Sequence, residues 1–337
     1  MIAAQGGERK AQLKAIQIEQ VGGPEVLKLK EVVIGQPGPG QALVRIVNVG
    51  VNFVEIYQRS GRYPVKLPFI PGSEASGVVE AVGEGVSNVG PGARVAYTGQ
   101  PGAYAEKSLV QADRLILLPA SLSFEQGAAF PLQGMTAHYL LHEFRKLSPG
   151  DVVLIHAAAG GMGLLLVQWA HHMGVRVIGT VSTEEKAKIA RAAGADEVIL
   201  YTQQDFAAET KRLTSGRGAD LIIDGVAKTT FHGDLEAAAI RGHIVLYGSA
   251  SGPADPFPPN SLQPRGLTLT GSTLVHFIAA NADLVRRAAD VLQGIQEGWL
   301  KLRIDRALPL AQAAEAHRLL EGRHTTGKLL LTTGATA

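Results

Sequence analysis

The 337-residue chain has no cysteine. Disulfide cross-links, thiolate–metal sites and cysteine nucleophiles are thereby excluded. An excess of charge of either sign is also missing: 32 Lys and Arg stand against 30 Asp and Glu, for a net charge of +2. No electrostatic footprint for nucleic acid follows from such a balance. No uninterrupted apolar run approaches the length of a membrane span. The first residues, MIAAQGGERKAQ, carry no apolar h-region. A soluble cytoplasmic protein with no membrane or nucleic-acid partner is expected. There is no internal repeat, and no G-x-S-x-G nucleophile elbow to support a serine hydrolase.

What is present divides the chain in two. At 46% hydrophobic residues the length is too great for one ordinary core, so two domains are expected. Residues 13–118 read as short strands: Leu13–Ile18, Leu27–Val33, Gln41–Val49, Gly77–Val82, Arg94–Tyr97 and Tyr104–Val110. Turn signals such as Val21-Gly22-Gly23-Pro24 and Pro37-Gly38-Pro39-Gly40 separate them, which suits a β-barrel-like domain. From about Pro149 the rhythm changes. Strands at Val152–His156, Val175–Thr180, Glu197–Tyr201, Ala219–Val226 and His243–Gly248 alternate with helix-like stretches, the pattern of a parallel sheet with helices on both faces. Beyond Gly271, helix-like Asn281–Glu297 and Ala311–Glu321 and a strand at Lys328–Thr332 read as a return to the first domain.

The strongest chemical signal is a hydrophobic strand running into small residues and then a helix: Val152 to Ile155, then His156-Ala157-Ala158-Ala159-Gly160-Gly161-Met162-Gly163. It fits G-x-G-x-x-G with Ala158 in the first glycine slot. Small residues let the backbone turn sharply, let a pyrophosphate approach and let the helix pack on the strand. Free N–H groups at the helix start then face the phosphates. The next strand ends Thr180-Val181-Ser182 with no acid to hold a ribose 2′-hydroxyl. Ser182-Thr183-Glu184-Glu185 reads as a capping box opening the following helix, with Lys186 in its first turns. A missing acid beside a cation favours the 2′-phosphate of NADPH, although Lys186 taken alone reads more readily as a solvated helix lysine.

With these residues in place the chain resembles the quinone oxidoreductase, or ζ-crystallin-like, branch of the zinc-free medium-chain dehydrogenase/reductase superfamily. The resemblance rests on Gly22-Gly23-Pro24-Glu25-Val26-Leu27, on the run from Gly50-Val51-Asn52-Phe53 to Tyr63-Pro64, on Pro71-Gly72-Ser73-Glu74-Ala75-Ser76-Gly77, and on His156–Gly163. It implies an α/β fold: a GroES-like β-barrel catalytic domain at 1–134, completed by 272–337, and a Rossmann doubly wound parallel-sheet domain at 135–271. The active cleft would lie between them. By the same resemblance Asn52 faces the nicotinamide, Tyr57 and Tyr63 line the substrate side, and Thr136 lies near the ribose phosphate. Tyr247, Gly248 and Ser249 flank the nicotinamide, while Ser182, Lys186, Tyr201 and Arg323 surround the 2′-phosphate. The family is often dimeric, and Leu267–Thr273 would be the edge strand for a homodimer. Gln133 replaces a frequent lysine and Glu55 a frequent aspartate.

Zinc-dependent members of the superfamily carry a catalytic cysteine and a G-H-E motif. Here that motif reads Gly72-Ser73-Glu74. No metal ligand set is expected, and an acceptor that is already electron-poor needs less help than an alcohol. Other signals are weaker. Gly322-Arg323-His324-Thr325-Thr326-Gly327-Lys328-Leu329 imitates a phosphate loop but lacks its final Ser or Thr. His171 and His172 are adjacent on a helix and face different ways. Tyr57 and Tyr63 are also open to a reading as packed aromatics, and Asn52 as a turn cap. The expected function is an NADPH-dependent reductase of quinones or similar conjugated small molecules. The alternatives are an NADPH-dependent alkene reductase acting on an enal, enone or 2-substituted acrylate, or an NADPH-binding protein with little turnover.

Overall fold

In the computed structural model, which describes residues 11–335, the strand-rich part is organised by one long strand, Gln41–Gly50. One edge of this strand pairs antiparallel with Glu74–Val82 along nearly its whole length. The other edge is shared: residues 41–45 pair with Lys107–Gln111, and residues 48–50 pair with Lys328–Thr332. Arg94–Thr98 and Ile116–Leu117 extend the sheet past Glu74–Val82, and Ile304–Pro309 extends it past Lys328–Thr332. The hairpin Ala11–Gln17 with Lys28–Ile34 forms a separate two-stranded sheet. Burial follows side-chain character. Ile16, Val44, Ile46, Val49, Tyr97, Tyr104, Leu329 and Leu331 share one core. The C-terminal strand is therefore an inner member of the sheet, which explains its run of buried leucines.

The second part is a six-stranded parallel sheet. Its order is Glu197–Leu200, Arg176–Val181, Val152–Ile155, Ala219–Asp224, Ala238–Leu246, Thr268–Gly271. Counting strands from Val152–Ile155, that is the doubly wound order 3-2-1-4-5-6, with the reversal beside the first strand. Helices Gly161–His172, Glu184–Ala192, Phe206–Leu213 and Phe231–Ala237 connect the strands. Ala238–Leu246 starts five residues before the expected His243, and Arg241 sits there at a φ of 59° beside a shift in strand register.

The two units are residues up to Leu132 with those from Ile304 onward, and Gln133–Arg303. The return to the first unit thus begins at Ile304, not at 272. Helix Asn281–Glu297 is tied into the second unit by three contacts. Asp290 bonds His138 at 2.7 Å, Arg287 bonds Nδ1 of His138 at 2.8 Å, and Val291 fills the space over Gly134. A chain that supplies no backbone to the second sheet after Gly271 still buries an apolar helix face against that sheet's first helix, Pro131–His142. Strand order alone does not reveal this. Among the described residues no helix is long and apolar enough to cross a membrane.

Candidate active site

The small-residue turn is built as its sequence demands. Val152–Ile155 is buried throughout. Ala157 then takes a φ of 51°, which lets the chain reverse. The N–H of Ala158 donates to Thr180 O at 3.1 Å and that of Gly160 to Ala157 O at 2.8 Å. Gly160 caps helix Gly161–His172 without a side chain. The amides of the first turn, at Gly161, Met162 and Gly163, are then directed at whatever anion lies before them. A Cβ on Gly163 would collide with the carbonyl of Ala157 and lie 2.7 Å from Ala158 Cα. A Cβ on Gly160 would lie 3.2 Å from the same carbonyl. The helix rests directly on the turn, and the cradle fits a dinucleotide pyrophosphate.

The next strand ends at Val181, which is buried. The helix cap is Thr183, whose hydroxyl accepts from Lys186 N at 3.3 Å, so the expected box from Ser182 to Glu185 does not form. The cap falls one residue later because Ser182 still belongs to the strand end, where its carbonyl accepts from Thr202 Oγ1 at 3.0 Å. The N–H of Tyr201 donates to Val181 O at 3.1 Å. Ser182, half-buried Lys186 and exposed Tyr201 therefore share one strand end. Across the first strand, Tyr247 N donates to Asp224 O at 3.0 Å. Its ring covers Gly225, where a Cβ would lie 2.6 Å from Tyr247 Cζ. Gly248 crosses so close that a Cβ there would lie 3.0 Å from Gly225 O. Tyr247, Gly248 and Ser249 thus sit at the carboxyl ends of the strands, as the phosphate turn does. Thr136 is buried in helix Pro131–His142.

Behind the turn lies a network that sequence reasoning missed. His156 Nδ1 bonds Thr180 Oγ1 at 2.9 Å and Nε2 bonds Asp234 Oδ1 at 2.7 Å, all of them buried. Asp224 accepts from the N–H of Val226 at 2.6 Å and of Ala227 at 3.1 Å, and from Thr230 Oγ1 at 2.8 Å. Burial pushes the Asp234 carboxyl up to about 7, and the facing His156 offsets this only in part. His156, Asp224 and Asp234 are the one His/carboxylate group among the described residues close enough to share an ion. Their atoms are already engaged in bracing the turn against the next strands. Only Asp234 Oδ2 makes no hydrogen bond.

In the first unit Asn52 precedes helix Phe53–Arg59 and is buried. Its amide is consumed internally. Nδ2 donates to Glu74 Oε2 at 3.0 Å and to Gly50 O at 3.3 Å, and Oδ1 accepts from Lys328 Nζ at 2.6 Å. Lys328 also pairs with Glu74 at 2.5 Å, and Glu74 Oε1 accepts from Leu132 N at 2.6 Å. Glu55, fully buried, accepts from Asn52 N at 2.7 Å through Oε2. Its Oε1 accepts from Ser73 N at 3.0 Å and Ser73 Oγ at 2.6 Å. Burial pushes the Glu55 carboxyl up to about 7, against the Ser73 hydrogen bond and the Lys328 charge that hold it down.

Tyr57 is buried, with Tyr63 edge-on at 5.2 Å and the Arg62 guanidinium 4.6 Å from its ring. Tyr63, four residues past the end of that helix, is 48% exposed. Arg323 is exposed, with a φ of 57°, just beyond helix Ala313–Glu321. It belongs to the first unit, whereas Ser182, Lys186 and Tyr201 belong to the second. The Asn52-x-x-Glu55 spacing is a capping pattern that could have flagged Glu55. Nothing local points to Lys328, 276 residues from Asn52.

Comparison with known proteins agrees with this architecture. Residues 38–120 match the family model described as an alcohol dehydrogenase GroES-like domain, and residues 161–290 the model described as zinc-binding dehydrogenase. The chain is 41% identical to a 2-haloacrylate reductase of a Burkholderia species, over 94% of this chain and 98% of the relative. It is 42% identical to a quinone oxidoreductase of Pseudomonas aeruginosa, over 94% and 99%. The crystal structure of Escherichia coli quinone oxidoreductase complexed with NADPH superposes with a TM-score of 0.92 at 36% identity, covering 95% of this chain and 99% of that one. Of the donors of the zinc-dependent motif, the cysteine is missing from this chain and Ser73 stands in the place of the histidine. The chain therefore belongs to the quinone oxidoreductase branch of the zinc-free medium-chain dehydrogenase/reductase superfamily.

Proposed function

We propose that this protein is an NADPH-dependent reductase of quinones and similarly electron-poor conjugated acceptors, working without a metal. The observation that carries it is the Gly160–Gly163 cradle followed by a strand end, Val181-Ser182, with no acid in the ribose position. The amides of Gly161, Met162 and Gly163 would hold the pyrophosphate. Ser182, Lys186 and Tyr201 would hold the 2′-phosphate. Thr136 would lie by the ribose phosphate, and Tyr247, Gly248 and Ser249 would border the nicotinamide. When bound, NADPH supplies a hydride. The protein's own contribution is placement of the acceptor and polar contact to the oxygen on which charge develops. Tyr63, exposed and braced on Tyr57, suits that contact. Asn52 does not, because its amide hydrogens already go to Glu74 and Gly50. Its role is to brace the site floor.

Alkene reduction is the second reading, favoured by the 41% identity to a 2-haloacrylate reductase. The test is NADPH consumption by the purified protein with quinones, 2-haloacrylates and enones in parallel. Faster turnover of quinones supports the first reading, and of acrylates the second. Tight NADPH binding with no acceptor consumed would leave a binding protein. We also propose a homodimer joined through Thr268–Gly271, which ends the parallel sheet and among the described residues pairs only with Ala238–Leu246. Sedimentation of the protein before and after a proline is placed in that strand tests the pairing.

A further inference from the structure

We propose that Ser73 and Glu55 form a proton relay for this reduction: the Ser73 hydroxyl gives its proton to the reduced acceptor and regains one from the Glu55 carboxyl. The proposal rests on the reductase reading above. It names a proton donor where the tyrosines and asparagine of the site offer none that is secure.

Glu55 is fully buried, whereas Ser73 is half-buried. Ser73 Oγ lies 2.6 Å from Glu55 Oε1 and is the side-chain hydroxyl bonded to that carboxyl. Glu55 also lies in the first turn of the helix that carries Tyr57, with Tyr63 edge-on to that ring. The carboxyl thus meets one half-buried hydroxyl in the unit that carries the two tyrosines.

The charges around it are arranged to leave it poised. The Lys328 ammonium bonds Glu74 and Asn52 rather than Glu55. Glu74 lies near enough to repel a Glu55 carboxylate. Tyr104, from the loop before Lys107–Gln111, is near enough to feel the Glu55 charge and bonds His317 at 3.0 Å. Arg59 on the same helix is committed to Glu321 at 2.7 Å. Among the described residues no cation forms an ion pair with Glu55, although the Lys328 charge and two backbone N–H groups favour its carboxylate. Burial and these bonds nearly balance, and the carboxyl titrates at about 7.

A quinone that has gained a hydride bears its negative charge on oxygen. A new O–H bond forms there as the Ser73 O–H bond breaks, and the Glu55 proton moves to Ser73 Oγ. Glu55 is left as a carboxylate accepting from Ser73 Oγ, Ser73 N and Asn52 N, the arrangement seen in the structure. Both electrons arrive with the hydride, and the relay moves protons only. Water reprotonates Glu55 through Ser73.

The test uses Ser73→Ala, Ser73→Thr and Glu55→Gln in the full-length protein. Without NADPH, infrared titration of the unmodified protein should show a buried protonated carboxyl that disappears as pH rises through about 7, and Glu55→Gln should lack it. In turnover, Ser73→Ala should lower kcat for quinone about 100-fold at pH 6. The KM for NADPH should hold, and the solvent deuterium isotope effect should disappear. Ser73→Thr, which keeps the hydroxyl, should recover most of the rate. An active enzyme whose Ser73→Ala form keeps its kcat and pH profile would overturn the relay alone. So would a Glu55 that is ionised at pH 6. An unmodified protein that fails to oxidise NADPH with every acceptor tried would remove the reductase reading and the relay together.

Discussion

Replacing Lys328 with methionine should destabilise the first unit far more than a surface lysine would allow. Lys328 is 2% exposed, and its ammonium bonds Glu74 at 2.5 Å and Asn52 at 2.6 Å. Methionine keeps the apolar stem in the inner strand Lys328–Thr332 but leaves the Glu74 charge in a dry environment. Removing one partner of a buried ion pair costs about 3–5 kcal/mol, chiefly because of the charge left behind. For domains of this size about 2–4 °C of Tm accompanies each kcal/mol, so a fall of about 6–20 °C is expected. Far-UV circular dichroism should record it. Both tryptophans, Trp169 and Trp299, belong to the second unit, so their fluorescence follows that unit separately. Adding Glu74→Gln to Lys328→Met removes the orphan charge and should restore at least half of the loss. A melt lowered by less than about 2 °C would refute the premise that this pair is both desolvated and coupled. So would a double variant no better than the single one.

Glu55 should also make stability pH-dependent. Its carboxyl titrates at about 7 in the fold against 4.5 for an ordinary glutamate. Folding therefore favours the protonated form: its contribution is complete below pH 4.5 and is lost as pH rises through about 7, to the extent of about 3 kcal/mol. Denaturant titrations between those pH values should show the unmodified protein losing stability as pH rises, and Glu55→Gln a flatter profile. At the phosphate turn, Gly163→Ala should lower Tm, because its Cβ meets the Ala157 carbonyl. Gly161→Val should instead weaken NADPH binding in a calorimetric titration while the melt holds. Lys186→Ala should lower kcat/KM for NADPH about tenfold and leave NADH nearly unchanged, since a charge-assisted bond to a phosphate is worth about 1.5–3 kcal/mol before solvent discounts it. Equal use of both cofactors by the unmodified protein would defeat that reasoning.

What could be seen in advance follows from how far each determinant lies from its partner in the chain. The parallel sheet was legible because each strand announces itself within a few residues: Val152–Ile155 runs into its small-residue turn, and Arg176–Val181 and Ala219–Asp224 repeat the apolar pattern. Helix Asn281–Glu297 was legible in extent but misassigned in place. Its periodicity fixes an apolar face, while the partner of that face is set by Arg287, His138 and Val291 meeting across about 150 residues. The helix cap at Thr183 was missed by one residue, because Ser182 and Thr183 are equally good caps and strand length decides between them.

The site divides along the same line. Glycine positions are local requirements, and Gly160 and Gly163 sit where a Cβ would crowd their own turn. Charge networks are not local. Asn52 was placed at the nicotinamide by resemblance while its local signal is a turn cap, and what consumes its amide arrives from strands at Glu74 and Lys328. Glu55 read as a mere departure from aspartate. The extra methylene lengthens its reach, and here the carboxyl spans from Asn52 N to Ser73. In zinc-dependent relatives the slot of Ser73 carries a metal ligand. In this chain the same slot holds a hydroxyl bonded to a carboxyl that titrates near neutrality. Loss of the metal motif therefore need not leave the site without polar chemistry: a proton at Ser73 and Glu55 can neutralise the charge that a Lewis acid would otherwise stabilise.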